Sequence, residues 1–453
     1  MARVVVISPP FRSHAVPLSV LGSALRRAGA DVSLACTPAF ADLADSAGLG
    51  FLELTVTRNA NHGIAERTAQ EDGEAARLRE FLAATAEGAV AALLTQARHR
   101  RADMLAEPDR ILNDLRDLDR RVRPDWYIVD QLSYPVTLAL HSLALPYATF
   151  CPGHPSYIPV GSDAFFGLPY AWPDTVRPDA AALARLRDAA AANDTAFTAA
   201  FRTAIRSGAP NRPVPERAFT LCSSHAVVFN YPAFPWLPPA PIGPSVLYTG
   251  HCGSGPAAAD LDPAWQAVVD RLTTRGRPLV LVALGTFLSA RHDVLRIAAE
   301  GVLRHTDASV IVAAGDRVAD LTRDPALSTA PTDRLHIAAT VPQQALLPAT
   351  AAMVHHGGNN SFTECLTAGV PALVLPFSSD QFAIAHDAER AGVGRCLDPN
   401  TLAPRSVGDT VHALLTDSRT TINALRDDVR ARGPHWAAAE LLRVMPDRPM
   451  SAG

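Results

Sequence analysis

Short apolar runs alternate with amphipathic stretches along this chain, and this alternation most restricts how the chain can fold. In the first half the apolar runs are RVVVIS (3–8), DVSLAC (31–36), FLELT (51–55), WYIVD (126–130) and PYATF (146–150). In the second half they are PLVLVAL (278–284), ASVIVAA (308–314), RLHIAA (334–339), AAMVHH (351–356), PALVLP (371–376) and GRCL (394–397). Apolar runs of this length between helical segments predict parallel strands in sheets that are covered by helices on both faces.

A proline-rich passage, NYPAFPWLPPAPIGPSVLYTG (230–250), separates the two halves. So many prolines disfavour helix and central strand, which is typical of a linker. We therefore predict an α/β protein with two doubly wound Rossmann-like domains, residues 1–229 and residues 251–453 with C-terminal helices, which face an interdomain cleft. Ligands of open α/β sheets bind beyond the carboxyl ends of the strands, so the cleft is the expected site. Two long amphipathic stretches, at about 64–121 and 179–208, are expected to form a wall or lid.

The composition argues against several classes of partner. Hydrophobic residues make up 48% of the chain and charged residues 19%, which is typical of a globular protein. The net charge of -4 gives no reason to expect nucleic acid or an anionic membrane. No run reaches the roughly 18 apolar residues of a membrane span. The six cysteines lack C-x-x-C spacing and are expected to be reduced thiols. We expect a cytoplasmic protein, and the sequence leaves monomer and homodimer open.

The segment VHHGGNNSFTECLTAGVPALVLPFSSDQ (354–381) carries the strongest functional pattern. A strand that ends at His356 meets a Gly-Gly-Asn-Asn-Ser turn, which opens a helix near Ser361. Glycines allow close backbone approach to a ligand, and the amides at a helix N-terminus bind phosphate or diphosphate. The turn alone is equally compatible with an ordinary capped helix. Asp380 and Gln381, at the end of the next strand, favour the ligand site.

This segment resembles the nucleotide-sugar signature of the family 1 glycosyltransferases, the UDP-glycosyltransferase superfamily with the GT-B fold, in its bacterial natural-product branch. TVPQQALLP (340–348) is similar to the family's opening W-x-P-Q-x-x-x-L. The family's H-x-G-x-N-S-x-x-E matches His356, Gly358, Asn360, Ser361 and Glu364. Asp380 follows Glu364 by sixteen residues, as in the family. Two positions depart from the pattern, since Thr340 replaces an aromatic residue and Asn359 replaces a tryptophan.

The resemblance implies donor-binding roles for the matching residues. Gln343 would lie near the base and Glu364 would hold the ribose. The diphosphate would be bound by His356, Gly358, Asn360 and Ser361. Asp380 and Gln381 would bind the sugar hydroxyls. Thr286, in the LGT turn (284–286) that follows a strand, would add a phosphate contact, although a threonine there can also be a plain helix cap. The resemblance implies no resident cofactor, only a nucleotide-sugar co-substrate, with UDP-hexose favoured.

A second constellation follows the first strand, in SPPFRSHAVPL (8–18). The glycines of a dinucleotide fingerprint are absent from this turn, which argues against an NAD-binding domain. His14 lies at a strand end and so in the cleft, and Asp130 is the last residue of another strand. Alone, His14 could be a structural loop histidine and Asp130 a helix cap. PF-x-x-H-x-x-P is similar to the family's pattern, which implies that His14 is the general base and Asp130 orients it, because neutral imidazole can take the proton of an attacking hydroxyl.

The sequence offers no convincing metal site. A metal-dependent transferase of the GT-A type needs an acidic pair for a divalent cation, and the nearest match is Asp117 and Asp119 in LRDLDRRVR (115–123). This arginine-rich run is typical of a solvated helix face with local ion pairs. We therefore predict a metal-independent reaction.

Together these features predict an inverting glycosyltransferase that moves a hexose to a hydroxyl of a small natural-product acceptor, as in antibiotic biosynthesis. Two alternatives stay open. One is a nucleotide-sugar epimerase with the GT-B fold, against which the long insertions and the full signature argue. The other is a catalytically silent binding or activating protein, against which the presence of His14 and Asp130 argues.

Overall fold

The computed structural model describes residues 1–57, 72–253 and 261–445, without the side chains of residues 72, 102, 103, 286 and 287. The strands of the first sheet are β1 (Arg3–Ile7), β2 (Asp31–Cys36), β3 (Gly50–Glu53), β4 (Trp126–Asp130), β5 (Tyr147–Cys151), β6 (Ala226–Phe229) and β7 (Ser245–Tyr248). Those of the second sheet are β8 (Leu279–Ala283), β9 (Ser309–Ala313), β10 (Leu335–Ala338), β11 (Ala352–His355), β12 (Ala372–Val374) and β13 (Gly394–Cys396).

Helices connect the strands in both halves. In the first half they are α1 (Arg12–Arg27), α2 (Ala41–Ser46), α3 (Asp72–Glu87), α4 (Ala89–Asp103), α5 (Pro108–Val122), α6 (Tyr134–Leu143) and α7 (Ala180–Gly208). In the second half they are α8 (Pro263–Leu272), α9 (Gly285–Leu288), α10 (His292–His305), α11 (Val318–Arg323), α12 (Gln343–Leu346), α13 (Asn359–Ala368), α14 (Gln381–Arg390), α15 (Pro404–Thr416) and α16 (Thr420–Val444).

Both sheets are parallel and doubly wound. The first has the strand order β3-β2-β1-β4-β5-β6-β7 and the second the order β10-β9-β8-β11-β12-β13. The order reverses between β1 and β4 in one sheet and between β8 and β11 in the other. Ligands bind at such reversals, where neighbouring connections leave the sheet in opposite directions. The predicted alternation is confirmed, and the ends of β1, β4, β8 and β11 mark where a site belongs.

The strands follow the predicted apolar runs because those runs can be buried on both faces. Every residue of β4 and β5 is buried, and so are Val4 to Ile7 of β1. One strand differs from expectation: β7 lies inside the predicted linker and pairs with β6 at the edge of the first sheet. The four residues of β7, SVLY, contain no proline, so they can form an edge strand although the passage before them cannot.

The insertion after β3 reaches the second domain, as predicted for a wall of the cleft. Its residues 58–71 lie outside the described residues. In α3, Phe81 and Leu82 pack against the core of the second domain. Arg291 of the second domain, which is buried, donates from Nη1 to the carbonyl oxygen of Thr85 at 3.0 Å. The α3–α4 hairpin therefore belongs to the first domain by sequence and contacts both domains.

The last helix returns to the first domain. Helix α16 changes direction at Gly433, which has φ 57°, and Pro434 follows. Beyond this bend Ala437 and Leu441 are fully buried in the same core as β1. The sequence interpretation assigned all of residues 251–453 to the second domain, whereas the end of α16 completes the first. The Gly-Pro pair is visible in the sequence, but the surface on which the following turns pack is not.

Candidate active site

A cavity of about 1010 Å³ lies between the two domains and brings together most of the residues that the sequence singled out. Those that line it are His14, Gln343, His356, Gly358, Asn360, Ser361, Glu364, Asp380 and Gln381. Asp130 does not line the cavity but contacts His14 from behind. The side chain of Thr286 lies outside the described residues, although its neighbours Gly285 and Leu288 line the cavity.

His14 and Asp130 form a hydrogen-bonded pair at the reversal of the first sheet. Nδ1 of His14, in the first turn of α1, lies 2.9 Å from Oδ2 of Asp130 at the end of β4. The carboxylate is 0% exposed, and its Oδ1 accepts from the backbone N–H of Leu132 at 2.9 Å. Since both oxygens have fixed donors, the carboxylate holds the proton of the imidazole on Nδ1. Nε2 is then the basic nitrogen, on a ring that lines the cavity.

His356 is held between two glycines at the reversal of the second sheet. A Cβ atom at Gly285 would lie 2.6 Å from Cε1 of His356, and one at Gly358 would lie 2.3 Å from Nε2. Burial lowers the pKa of His356 to about 4, so the ring is neutral at physiological pH. Nδ1 of His356 is buried and has no hydrogen-bond partner among the described residues. The ring therefore offers a neutral polar atom beside the N-terminus of α13.

Helix α13 begins at Asn359, and its first residues face the cavity together with the glycine before them. The unpaired N–H groups of the first turn and the positive end of the helix dipole suit an anion. Nδ2 of Asn360 donates to the carbonyl oxygen of Ser13 at 2.9 Å, so this amide also connects the second domain to the turn that carries His14. The predicted diphosphate end and the predicted base thus share one wall of the cavity.

Glu364 lies one turn further along α13 and is held by two glutamines. Its Oε2 accepts from Nε2 of Gln343 at 2.6 Å, and its Oε1 accepts from Nε2 of Gln344 at 2.9 Å. Gln343 also donates to Oγ of Ser361 at 3.3 Å. Burial raises the pKa of Glu364 above its ordinary value, and the two amides oppose this. Each carboxylate oxygen keeps a second lone pair, so Glu364 can still accept hydroxyl donors.

Asp380 and Gln381 follow β12 and open α14. Oδ2 of Asp380 accepts from the backbone N–H of His154 in the first domain at 2.9 Å. Oε1 of Gln381 accepts from the N–H groups of Phe377 and Ser378 at 2.9 and 3.1 Å. Gln381 thereby stabilises its own loop, and Asp380 reaches across the cleft. Both still line the cavity, where the resemblance places the sugar of the donor.

Asn359 replaces the tryptophan of the family pattern, and the sequence predicts no role for it. Its Nδ2 donates to the carbonyl oxygens of Pro152 and Asn230, both in the first domain, at 2.6 and 2.8 Å. These carbonyls follow β5 and β6, so Asn359 fixes the start of α13 against the carboxyl ends of two strands of the first sheet. A polar residue at a position expected to be bulky is the signal that could have indicated this contact.

The acidic pair of α5 behaves as a helix surface. Asp117, which is exposed, pairs with Arg120 at 3.0 Å, and Asp119 accepts from the hydroxyl of Tyr127 at 3.0 Å. Within residues 1–57, 72–253 and 261–445, no group of three histidine, cysteine or acidic side chains is arranged to hold a metal ion. In the same ranges, no helix combines the length and the apolar character that crossing a bilayer requires.

Similarity to known proteins agrees with this geometry. Over nearly the whole length, this structure is similar to that of a kitacinnamycin glycotransferase, with a TM-score of 0.69, 21% identity, and 98% of this chain and 99% of that one covered. It is also similar to the glycosyltransferase VinC in complex with DTDP, with a TM-score of 0.63, 20% identity and 98% and 99% coverage. Two parallel-sheet domains that enclose such a cavity define the GT-B fold, which confirms the predicted fold class.

Comparisons of the sequence alone match shorter parts of the chain. Residues 301–439 match the model of the family "Erythromycin biosynthesis protein CIII-like, C-terminal domain". The chain is 28% identical over 198 residues to NDP-glycosyltransferase YjiC of Bacillus subtilis, covering 43% of this chain and 48% of that protein. It is 28% identical over 197 residues to a demethyllactenocin mycarosyltransferase of Streptomyces fradiae, covering 42% and 40%. The alignments thus span less than half of these relatives. Residues 301–439 are therefore similar to this C-terminal domain, and the resemblance to bacterial natural-product glycosyltransferases is confirmed.

Proposed function

We propose that this chain is an inverting, metal-independent glycosyltransferase that moves a hexose from a nucleotide-sugar donor to a hydroxyl of a small natural-product acceptor. The observation that carries the proposal is the position of the His14–Asp130 pair on the same cavity as the N-terminus of α13. The cavity thus offers a base for the acceptor hydroxyl and donors for the diphosphate leaving group. The names of the relatives, which include a mycarosyltransferase, support the same class of reaction.

The proposed reaction is a single displacement at the anomeric carbon. Nε2 of His14 removes the proton of the acceptor hydroxyl while its oxygen attacks, and the carboxylate of Asp130 stabilises the imidazolium that forms. The bond between the anomeric carbon and the diphosphate oxygen breaks, and the nucleoside diphosphate leaves with the electron pair. Attack opposite the leaving group inverts the anomeric configuration.

Donors on the second domain stabilise the departing diphosphate. The N–H groups at the start of α13 and the side chains of Asn360 and Ser361 face the cavity, beside the neutral imidazole of His356. Preorganised donors in a site that excludes water can stabilise developing negative charge without reorganisation. This arrangement supports a reaction that needs no metal ion.

The nucleotide is proposed to bind between α12 and α13, with Glu364 on the ribose and Gln343 near the base. UDP is the favoured nucleotide, because Glu364 retains lone pairs for two ribose hydroxyls. VinC is described with DTDP, so dTDP-sugars are the first alternative to compare.

The acceptor is proposed to bind on the side of the first domain. The cavity wall there carries apolar and aromatic side chains from several helices and the segments between them: Val16, Leu78, Phe81, Met104, Tyr134 and Phe166. A wall of this kind favours a hydrophobic aglycone over a polar sugar chain. At the reaction centre, the acceptor must present a hydroxyl within reach of His14.

A donor and acceptor screen tests the proposal. UDP-, dTDP- and GDP-hexoses are incubated with phenolic and polyketide alcohols, and released nucleotide and glycosylated product are measured. We expect transfer that requires both substrates. Conversion of the donor to an epimer without acceptor would instead favour the epimerase alternative. Donor binding without any conversion, unchanged in His14→Ala, would favour the catalytically silent alternative.

A further inference from the structure

Ser379 has an unusual backbone conformation in the loop that leads to the proposed sugar-binding residues. Its φ is 55°, in the left-handed region that non-glycine residues rarely adopt. Asp380 and Gln381 follow it directly. A residue in this conformation persists when its surroundings hold it there. The contacts that hold Ser379 therefore also determine how the next two side chains face the cavity.

Those contacts come from the first domain. Oε1 of Gln96, on α4, accepts from the backbone N–H of Ser379 at 3.1 Å, and Nε2 of Gln96 donates to its Oγ at 3.0 Å. Nη2 of Arg100 donates to the same Oγ at 3.2 Å. Gln96 and Arg100 are four residues apart and so share one face of the helix. Oγ of Ser379 also donates to Oε1 of Gln96 at 3.4 Å. These hydrogen bonds join one serine to residues that precede it in the chain by 279 and 283 positions.

Arg100 is itself held in place. Its guanidinium lies over the ring of Phe166, 4.9 Å from the centroid. A Cβ atom at Gly167 would lie 2.2 Å from Nη1, so the glycine makes room for the guanidinium. No carboxylate within the described residues forms an ion pair with Arg100, unlike Arg98 on the same helix, which pairs with Glu80. The contacts of Arg100 are with the cavity wall and with Ser379.

We propose that Gln96 and Arg100 are positioning residues for the donor sugar. By holding Ser379 in its left-handed conformation, they orient Asp380 and Gln381 toward the sugar hydroxyls and thereby set which sugars the site accepts. The inference rests on the proposed function and goes beyond it, because the proposed donor-binding residues all belong to the second domain. Here the sugar part of that site is complete only when α4 of the first domain contacts the loop.

The test separates binding of the sugar from binding of the nucleotide. Calorimetry measures the affinity of wild type and Gln96→Leu for UDP, UDP-glucose and UDP-galactose, and for dTDP and dTDP-glucose. Loss of the hydrogen bonds between Gln96 and Ser379 is expected to lower the affinity for the sugar nucleotide relative to the free nucleotide by about tenfold, and to narrow discrimination between the two hexoses. Arg98→Ala, an exposed change on the same helix, is the matched control and should leave both ratios unchanged.

Ser379→Gly provides a second variant, in which the ease with which glycine adopts a positive φ offsets the hydrogen bonds lost with the hydroxyl. It removes the hydroxyl that accepts from Gln96 and Arg100. In Ser379→Gly we expect the same loss of sugar discrimination without a lower melting temperature. A separate variant, Gln96→Glu, keeps an acceptor for the N–H group of Ser379 and should therefore retain more of the discrimination than Gln96→Leu.

The inference would be overturned if the ratio of sugar-nucleotide affinity to nucleotide affinity in Gln96→Leu equalled that of Arg98→Ala. Equal weakening of the nucleotide and the sugar nucleotide would give this result. If the wild-type protein bound neither UDP and its sugar nucleotides nor dTDP and dTDP-glucose, the proposed function itself would be contradicted.

Discussion

Replacing Asp130 by asparagine tests the proposed base through the tautomer of His14. The carboxylate oxygens of Asp130 accept from Leu132 N–H and from His14 Nδ1. An asparagine has one oxygen and one NH₂ group for the two positions. If the oxygen keeps the Leu132 contact, the NH₂ group faces Nδ1 of His14, and the ring must then carry its proton on Nε2. That tautomer has no lone pair for the acceptor hydroxyl.

The size of the effect follows from the burial of this position. In the opposite orientation the NH₂ group faces the N–H of Leu132 and leaves a buried donor unpaired, which costs about 1–3 kcal/mol. The productive tautomer is therefore a minority by roughly 5- to 150-fold. The transition state also loses a hydrogen bond between imidazolium and carboxylate, which contributes about 1.5–3 kcal/mol, or roughly 10- to 150-fold. We expect kcat/KM of Asp130→Asn to fall by about 10²–10⁴-fold, as for His14→Ala.

The assay is the initial rate of nucleotide release with an aliphatic alcohol acceptor, because such an acceptor depends most on a base. Nucleotide affinity and melting temperature should change little, and Asp31→Asn, an exposed aspartate in the same domain, serves as the control. A phenolic acceptor should be less affected, since its hydroxyl loses its proton more readily. Turnover of Asp130→Asn within about threefold of wild type with the aliphatic acceptor would refute the orienting role, because the tautomer argument alone requires more.

Four further expectations concern the second domain and the chemistry of the site. Gly358→Ala should weaken nucleotide binding by at least about tenfold, because the new methyl group displaces His356. Gly73→Ala, where a Cβ atom meets nothing within 4 Å, should leave binding unchanged. Equal nucleotide affinities of the two variants would contradict the role of Gly358 in holding His356. UDP should bind up to roughly tenfold more tightly than dUDP, and Glu364→Ala should abolish the difference; equal binding of both by wild type would exclude the ribose role. Activity should survive EDTA, and loss that Mg²⁺ restores would contradict metal independence. Burial lowers the pKa values of His355 and His356 to about 3 and about 4. The unfolded chain therefore takes up protons first as the pH falls from about 6.5 to 4, and the free energy of unfolding should fall by up to about 1.4 kcal/mol per pH unit for each histidine; urea denaturation that is independent of pH in this range would contradict their neutral burial.

The architecture and the chemical centre could be predicted because local patterns determine them. Apolar runs between amphipathic segments define parallel strands, and parallel strands place their carboxyl ends on one edge. His14 follows β1 and Asp130 ends the adjacent strand β4, so topology places both at one edge of the sheet, and the family resemblance implied their contact. The residues around α13 match a signature of fixed spacing, which can be read from the sequence directly.

The contacts between the domains could not be predicted from the sequence. The amides of Gln96 and Asn359 bond to groups far away in the chain. Gln96 belongs to no local motif, and the departure at Asn359 does not indicate which groups it contacts. Such contacts depend on how two separately formed sheets meet, which is decided by packing over the whole interface. The turn at Ser379 is likewise invisible in the sequence, because no glycine marks its left-handed conformation.

The return of α16 to the first domain has a consequence for how the protein is made. Ala437, Ala438 and Leu441 complete a core whose other members include β1, at the opposite end of the chain. A ribosome releases these residues after all the other members of that core, so the half that is synthesised first stays unfinished until they have emerged. During that interval the surface that α16 later covers is exposed to solvent and to chaperones. We therefore expect a fragment that stops at residue 430 to aggregate, and a peptide of residues 431–445 supplied in trans to reduce that aggregation.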